Sequence, residues 1–272
     1  MKIGFIGIGN MGGAILSGYA ASEASEGKEL LVYSTNRAKN QAMKESVSSV
    51  IFCESEAQLC KAADIVVLGV KPQVIEGVLE KIAAEYSNDK IVVSMAAGVS
   101  IAVLENYLGP DAKIIRIMPN TPAKVREAMI SISRNGNLTE AEFEEAAEIF
   151  RAIGMAEEVP EEQIDCVIGV SGSSPAYTYM YIEALMNAAE KNGMSREKAR
   201  IFAAQSVLGA AKMVLESDES VEQLRINVCS PNGTTIEAVN TLFGNGFMDK
   251  VEEGFQAAVD RSIEMTAEKA KN

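Results

Sequence analysis

The sequence predicts an α/β chain in which a doubly wound parallel sheet is followed by an all-α domain. Three observations predict it. Compact apolar runs alternate with amphipathic segments through the first half. A glycine-rich turn comes directly after the first of those runs. Strand-like runs then stop after Val159-Pro160-Glu161-Glu162. The expected division is an N-terminal domain over 1–160 and a helical domain over 161–272.

The runs at 3–6, 30–33, 65–70, 91–95 and 113–118 have the continuous apolar character of strands buried on both faces. Amphipathic segments near 11–24, 37–45, 73–85 and 100–107 lie between them as crossover helices. One more strand is expected at 128–133. Thr139 and Glu142 then form a capping box that opens a helix running to about Ala152. Beyond the boundary, helices are expected near 175–192, 195–216, 232–243 and 247–270, interrupted by Gly193, by Ser230-Pro231-Asn232-Gly233 and by Gly244-Asn245-Gly246. The second of these helices is apolar on nearly every face, from Ile201 and Phe202 through Val207 and Leu208 to Met213, Val214 and Leu215. Such a helix needs burial all round, and a domain of roughly 110 residues has little interior to offer. Burial against a second copy of the chain is the favoured reading, with a central core helix as the alternative.

Composition removes several function classes. The 272 residues contain no histidine, which excludes imidazole bases, Ser-His-Asp and Cys-His nucleophiles, and histidine-ligated metals. Proton chemistry falls to hydroxyls, carboxylates, Lys, Tyr, Cys or water. With 25 Lys+Arg against 38 Asp+Glu, the net charge of −13 argues against a nucleic-acid partner. The opening Met1-Lys2-Ile3-Gly4-Phe5 lacks the long apolar core of a secretory signal, and the apolar runs are too short to span a membrane. Cys53, Cys60, Cys166 and Cys229 show no CxxC spacing and read as reduced thiols of a cytoplasmic protein without a bound metal.

Gly7-Ile8-Gly9-Asn10-Met11-Gly12 matches G-x-G-x-x-G in the context that makes the pattern specific, after a strand and opening a helix. Gly7 permits the tight turn, Gly9 lets the backbone approach a pyrophosphate, and Gly12 allows helix and strand to pack closely; the phosphates then sit on the helix N-terminus. This is the Rossmann-type dinucleotide fingerprint. At the end of the second strand an NAD site wants an acidic residue for the ribose hydroxyls. Here Ser34, Thr35, Asn36 and Arg37 come after Tyr33, with donors for a 2′-phosphate and nothing to repel it. NADP(H) is therefore expected, with NAD(H) as the weaker alternative. Two more turns lie at carboxyl ends of strands, Val70-Lys71-Pro72 and Ala96-Ala97-Gly98, and both are expected to contact the cofactor.

In the helical half, Thr234 and Glu237 form a capping-box pattern after Ser230-Pro231-Asn232-Gly233. A helix start carrying the hydroxyls of Thr234 and Thr235 suits a carboxylate ligand.

Five stretches, in order, resemble the pyrroline-5-carboxylate reductase family across essentially the whole chain. They are the 7–12 loop, Val70-Lys71-Pro72, Met118-Pro119-Asn120-Thr121-Pro122, Ser171-Gly172-Ser173-Ser174-Pro175-Ala176-Tyr177, and the 230–235 turn. The resemblance implies hydride transfer from NADPH to the imine carbon of Δ1-pyrroline-5-carboxylate, giving L-proline. It places the carboxylate of this cyclic imino acid on Ser230, Gly233 and Thr234, puts the Thr235 hydroxyl near the ring nitrogen as the catalytic group, and adds Asn120 to the cofactor contacts. It also implies a homodimer through the helical domain, extended in some relatives to rings of dimers. This chain departs from the family pattern at Asn232, Ser174 and Ala128, where glycine is usual. Asn is the non-glycine residue that best tolerates a left-handed backbone, so the turn is expected to survive at Asn232. The rival readings are an NADP-dependent reductase of another cyclic imine or of a β-hydroxy acid, and a non-catalytic NADP-sensing module.

Overall fold

A computed structural model describes residues 1–270. Eight strands form one sheet: β1 (Lys2–Ile6), β2 (Glu29–Tyr33), β3 (Ile51–Phe52), β4 (Ile65–Leu68), β5 (Ile91–Ser94), β6 (Lys113–Met118), β7 (Ala128–Arg134) and β8 (Gly154–Glu158). Their order is β3-β2-β1-β4-β5-β6-β7-β8, with every neighbour parallel except the antiparallel β6–β7 pair. The chain runs outward through β2 and β3, then returns to the other side of β1 to place β4. That reversal makes the carboxyl ends of β1 and β4 the switch point, where open α/β sheets bind their ligands.

The continuous apolar runs arise from burial on both faces. Ile3, Phe5, Ile65, Val67, Ile115 and Ile117 point into one layer, together with Ile15, Leu16 and Tyr19 of α1 (Asn10–Ala20) and Phe143 and Phe150 of α6 (Glu140–Arg151). The alternate residues Ile6, Val66, Leu68, Val92 and Ile114 face the other layer. There they meet α3 (Glu56–Ala62), α4 (Ile75–Ile82) and α5 (Ile101–Leu108) through Leu59, Leu79 and Leu104. The period-2 alternation of side chains thus supplies two cores from one set of strands. α2 (Arg37–Ser46) is mostly exposed and fixes itself to the first layer through Met43. The capping box of α6 forms as expected: Glu142 N donates to Thr139 Oγ1, and Thr139 N donates to the Glu142 carboxylate.

The apolar pattern of the sequence does not predict β3, α3 or β8. β3 is only two residues long, and β8 reads Gly-Met-Ala-Glu-Glu on an edge with largely exposed side chains, so neither carries a strand-like apolar signal. β8 pairs because Gly154, at φ +152°, lies so close to the Ala128 backbone that no Cβ would fit between them.

The chain divides into two compact units between Ser173 and Ser174, not near residue 160, and the part of α12 (Phe247–Ala270) from Ala258 onward belongs with the first unit. The boundary shifts because the segment after Pro160 stays with the sheet. A 3₁₀ turn (Glu161–Gln163), α7 (Ile164–Val167) and a π-helical stretch (Ile168–Gly172) remain tied to the sheet domain. Ile164 is buried, Asn120 Nδ2 donates to Ser171 O at 3.1 Å, and Ser262 Oγ donates to Asp165 Oδ1 at 2.5 Å. The second unit, 174–257, is helical: α8 (Ser174–Lys191), α9 (Arg196–Glu216), α10 (Val221–Asn227), α11 (Thr234–Gly244) and the start of α12. α9 is the helix that reads as apolar all round, and in the single chain Ile201, Phe202, Leu208, Met213 and Leu215 are each more than half exposed. Among the described residues, no helix is long and apolar enough to cross a membrane.

One charge pair, a buried guanidinium against a half-buried carboxylate, holds the rim of the sheet. Arg116 is 4% exposed, and its Nη1 donates to Glu161 Oε1 at 2.9 Å; the same oxygen accepts from the Ile101 backbone N at 2.8 Å, at the start of α5. Replacing Glu161 by Ala strands a buried guanidinium and an unpaired helix N–H together. The expected loss is about 3 kcal/mol of unfolding free energy, measurable as a lower urea midpoint with an unchanged denaturant slope.

Candidate functional site

A close approach of three backbones lies at the switch point. Gly7, after β1, takes φ +90°, a conformation that side chains disfavour. A Cβ on Gly12 would collide with Gly7 O, and a Cβ on Gly69, after β4, would collide with the same oxygen. Gly7 N donates to Tyr33 O at 2.8 Å and Gly69 N to Ile6 O at 2.8 Å, so the turn is pinned on both sides by the sheet. Gly9 has only a distant neighbour, which leaves its outer surface open. The tight turn at Gly7 and the close helix–strand packing at Gly12 are thus present, and Gly9 is left open. Gly69 is a fourth partner, which in the sequence reads only as the end of a strand; its position beside the glycine turn depends on the β1–β4 pairing, which G-x-G-x-x-G does not encode.

α1 begins here without a side-chain cap: its N-cap is Gly9 and no acidic residue lies in its first turn. The N–H groups of Asn10, Met11 and Gly12 therefore face outward unpaired, the arrangement that receives phosphate. Lys39, absent from the expected contacts, adds a cation: its Nζ donates to Asn10 Oδ1 at 3.2 Å, tying α2 to the glycine turn. Lys39 is third in α2, so its reach back to Asn10 is visible only in three dimensions.

At the end of β2, Ser34 Oγ accepts from Asn36 N at 3.2 Å, and Asn36 caps α2 by accepting from Lys39 N at 3.1 Å. Asn36 thus shapes the turn, with Ser34 half-buried and Thr35 and Arg37 exposed beside it. Ser34 and Thr35 open onto a cavity of about 460 Å³ that also takes in Gly7, Val70, Val74 and Glu56. Of the other expected contacts, Val70 lines this cavity. Lys71 and Pro72 come next in the turn before α4. Ala96 to Gly98 form a tight turn, with Val99 N donating to Ala96 O at 3.3 Å. Gly98, at φ +72°, lies so that a Cβ on it would come within 3.4–3.5 Å of the α12 backbone at Met265 and Thr266. Asn120 stands apart from the others. It is 7% exposed, and its amide is used twice, donating to Ser171 O and accepting from Met129 N at 3.0 Å. Its side chain fastens the unit together through these two bonds, which leave one amide N–H and one carbonyl lone pair unassigned.

In the second unit, the 230–235 turn keeps its shape. Asn232 takes φ +58°, the left-handed conformation expected of it, and Gly233 N donates to Ser230 O at 3.0 Å. A Cβ on Gly233 would collide with Ser230 Oγ. The capping box expected at Thr234 does not form. Gly233 is the N-cap, Thr234 is the first helical residue, and no side chain caps α11. The left-handed Asn232 turns the chain one residue early, so the extended N-cap position falls on glycine. The helix start is consequently more open to an anion than a capped one would be.

Comparison with known proteins agrees in both halves. Residues 161–265 match the family model described as pyrroline-5-carboxylate reductase dimerisation, and residues 2–98 match one described as NADP oxidoreductase, coenzyme F420-dependent. The pyrroline-5-carboxylate reductase of Escherichia coli is 44% identical over 97% of this chain and 98% of its own; that of Pseudomonas aeruginosa is 38% identical over 97% and 96%. Among solved structures, the Coxiella burnetii pyrroline-5-carboxylate reductase superposes with a TM-score of 0.90 at 36% identity, covering 97% of this chain and 98% of that one. A Plasmodium falciparum pyrroline carboxylate reductase with NADP bound gives 0.86 at 32% identity, covering 98% of each chain.

The glycine packing yields a direct expectation. Gly69→Ala pushes a methyl group into Gly7 O and must displace the turn. NADPH affinity, read by fluorescence titration, should fall by at least about tenfold, as expected when backbone phosphate donors lose their alignment. Gly136→Ala, in the exposed turn after β7 where a Cβ would meet nothing, is the matched control and should leave NADPH affinity within about twofold.

Proposed function

The chain belongs to the pyrroline-5-carboxylate reductase family, and on that premise we propose that it reduces Δ1-pyrroline-5-carboxylate to L-proline with NADPH, the last step of proline biosynthesis. It is an NADP(H)-linked oxidoreductase. The observation that supports the substrate assignment best is the uncapped start of α11, carrying two threonine hydroxyls behind a left-handed Asn232.

The first unit fits the cofactor on its own geometry. The Gly7–Gly12–Gly69 cradle leaves no room for side chains, the uncapped α1 offers amides to the pyrophosphate, and Ser34, Thr35 and Arg37 offer donors where NAD-specific sites place an acid. Gly7 to Gly12 would hold the pyrophosphate, the 34–37 turn the 2′-phosphate, and the turns at 70–72 and 96–98 the remaining edges. When bound, NADPH supplies a hydride to the imine carbon.

The remaining work falls to placement. A protonated cyclic imine is already strongly electrophilic, and its reduction leaves an amine without generating an alkoxide, so no strong general acid is needed. Hydride transfer does require the donor and the imine carbon within about 3–3.5 Å. We assign the carboxylate to Ser230, Gly233 and Thr234, where helix N–H groups and a hydroxyl stabilise its charge. The Thr235 hydroxyl would hydrogen-bond the ring nitrogen and orient the ring. This also accounts for catalysis without histidine.

A dimerisation domain spans 161–265, and the apolar residues exposed on α9 give the chemistry of a surface that a second copy covers. We propose a homodimer through this unit. We also place the enzyme in the cytoplasm, a reading supported by four free cysteines in the structure.

Thr235→Ala should lower kcat by about 100-fold, the scale of one lost proton-positioning group, while the Kd for NADPH stays within about twofold. Unchanged turnover removes Thr235 from the chemistry. Arg37→Ala should raise KM for NADPH by about tenfold or more through the loss of a charge-assisted phosphate contact, with KM for NADH nearly unchanged. An equal effect on both nucleotides contradicts the 2′-phosphate assignment.

A further inference from the structure

Four Asn-Gly pairs occur in the chain, at 135–136, 192–193, 232–233 and 245–246. Asparagine is a thermolabile residue, and a following glycine has no Cβ to hinder attack by its backbone nitrogen on the side-chain amide. Three of the four asparagines are restrained. Asn135 Nδ2 donates to Glu105 Oε1 at 2.9 Å and to Ala112 O at 2.7 Å, and its Oδ1 accepts from Ile114 N at 3.2 Å. Asn192 Nδ2 donates to Ala188 O at 2.9 Å, and Asn245 Nδ2 donates to Thr241 O at 2.7 Å. Asn232 differs: it is exposed, and among the described residues its side-chain amide makes no hydrogen bond. The fold imposes the glycine that follows it, because a Cβ on Gly233 would collide with Ser230 Oγ. One bond guards the pair, from Gly233 N to Ser230 O at 3.0 Å. It lies in a surface turn between α10 and α11, where opening a single bond costs little.

We propose that Asn232 is a site of spontaneous deamidation whose product closes the neighbouring carboxylate site. When the Gly233–Ser230 bond opens, Gly233 N attacks Asn232 Cγ. The Cγ–Nδ2 bond breaks, the amide nitrogen leaves as ammonia with the proton of Gly233 N, and a five-membered imide ring forms. Water then adds to one of the two imide carbonyls and opens the ring, to aspartate through one and to isoaspartate through the other. Nothing is oxidised or reduced. Either product carries a carboxylate where a neutral amide stood, one residue before the N-cap of α11. The inference rests on the assignment of the substrate carboxylate to the 230–234 turn. A negative charge formed there is stabilised by the same helix start that is offered to the substrate, and it repels a second carboxylate. Isoaspartate also lengthens the main chain of the turn by one methylene.

The full-length protein is aged at mildly alkaline pH and sampled over time. Peptide mapping by mass spectrometry reads amide-to-acid exchange at each of the four asparagines, and enzymatic methylation reads isoaspartate. KM for Δ1-pyrroline-5-carboxylate and Kd for NADPH are measured on the same samples and on fresh Asn232→Asp, Asn232→Gly and Ser230→Ala, with thermal unfolding to show that each is folded. The aged wild type carries the new charge in a chain that folded with Asn232, so the test does not depend on the Asp variant folding. Asn232 should convert at least about fivefold faster than each of the other three, the factor that one net hydrogen bond is worth. KM should rise by about tenfold or more in the aged protein and in Asn232→Asp, the scale of one like charge at close range. Kd for NADPH should stay within about twofold, since no phosphate contact is touched. Asn232→Gly should keep its own starting KM throughout ageing. Conversion at Asn232 no faster than at the other three, or an equal rise in KM in aged Asn232→Gly, overturns the proposal. A raised KM in Ser230→Ala without one in Asn232→Asp or the aged protein overturns it and leaves the carboxylate assignment standing. An unchanged KM in all of these overturns that assignment, and this inference with it.

Discussion

Three backbones that cannot bear a Cβ determine much of this molecule. Gly7, Gly12 and Gly69 come together around one carbonyl oxygen, that of Gly7, where the first strand hands the chain to α1 and the fourth strand ends beside it. Only because all three lack side chains can α1 sit directly on the β1–β4 pair, and only then does its uncapped N-terminus open at the switch point of the sheet. The two apolar layers reinforce this placement, since residues of α1 and of alternate positions along β1, β4 and β6 share one core. The phosphate site we propose there is therefore a product of helix–sheet packing more than of any individual side chain.

The second unit repeats the same device with different chemistry. Left-handed Asn232 and Cβ-intolerant Gly233 bring a turn against the start of α11 and leave its first amides without a side-chain cap, beside two threonine hydroxyls. Each unit thus presents an uncapped helix start suited to an anion, and we propose phosphate for the first and a carboxylate for the second. In a chain of net charge −13, these local fields and residues such as Arg37 and Lys39 must supply the attraction that the overall charge opposes. The absence of histidine fits this arrangement, because an iminium substrate needs orientation more than it needs a proton donor of matched pKa.

The legible parts of the sequence are those in which local pattern and global fold agree. The buried strands stand out as continuous apolar runs because both their faces are covered, and the fingerprint glycines stand out because a strand precedes them. Family resemblance makes the 230–235 turn legible, although its cap lies one residue from the expected place: Thr234-x-x-Glu237 has the right letters for a capping box, but the left-handed turn before it assigns the N-cap to Gly233. The features that escape depend on partners distant in sequence. β8 exists through its pairing with β7, Gly69 matters through Gly7, and Lys39 matters through Asn10. The unit boundary lies at 173–174 instead of about 160 because burial of Ile164 and the Asn120–Ser171 hydrogen bond hold that stretch to the sheet domain, and neither leaves a mark in composition.

The central claim is that this chain carries out hydride reduction of a five-membered cyclic imino acid with NADPH. The most direct test monitors NADPH absorbance during incubation of the purified protein with Δ1-pyrroline-5-carboxylate, with the six-membered imino acid analogue, and with a β-keto acid. The account predicts rapid oxidation with the first, less or none with the second, and none with the third, with proline as the product. No NADPH consumption with Δ1-pyrroline-5-carboxylate, or consumption only with the β-keto acid, would contradict it.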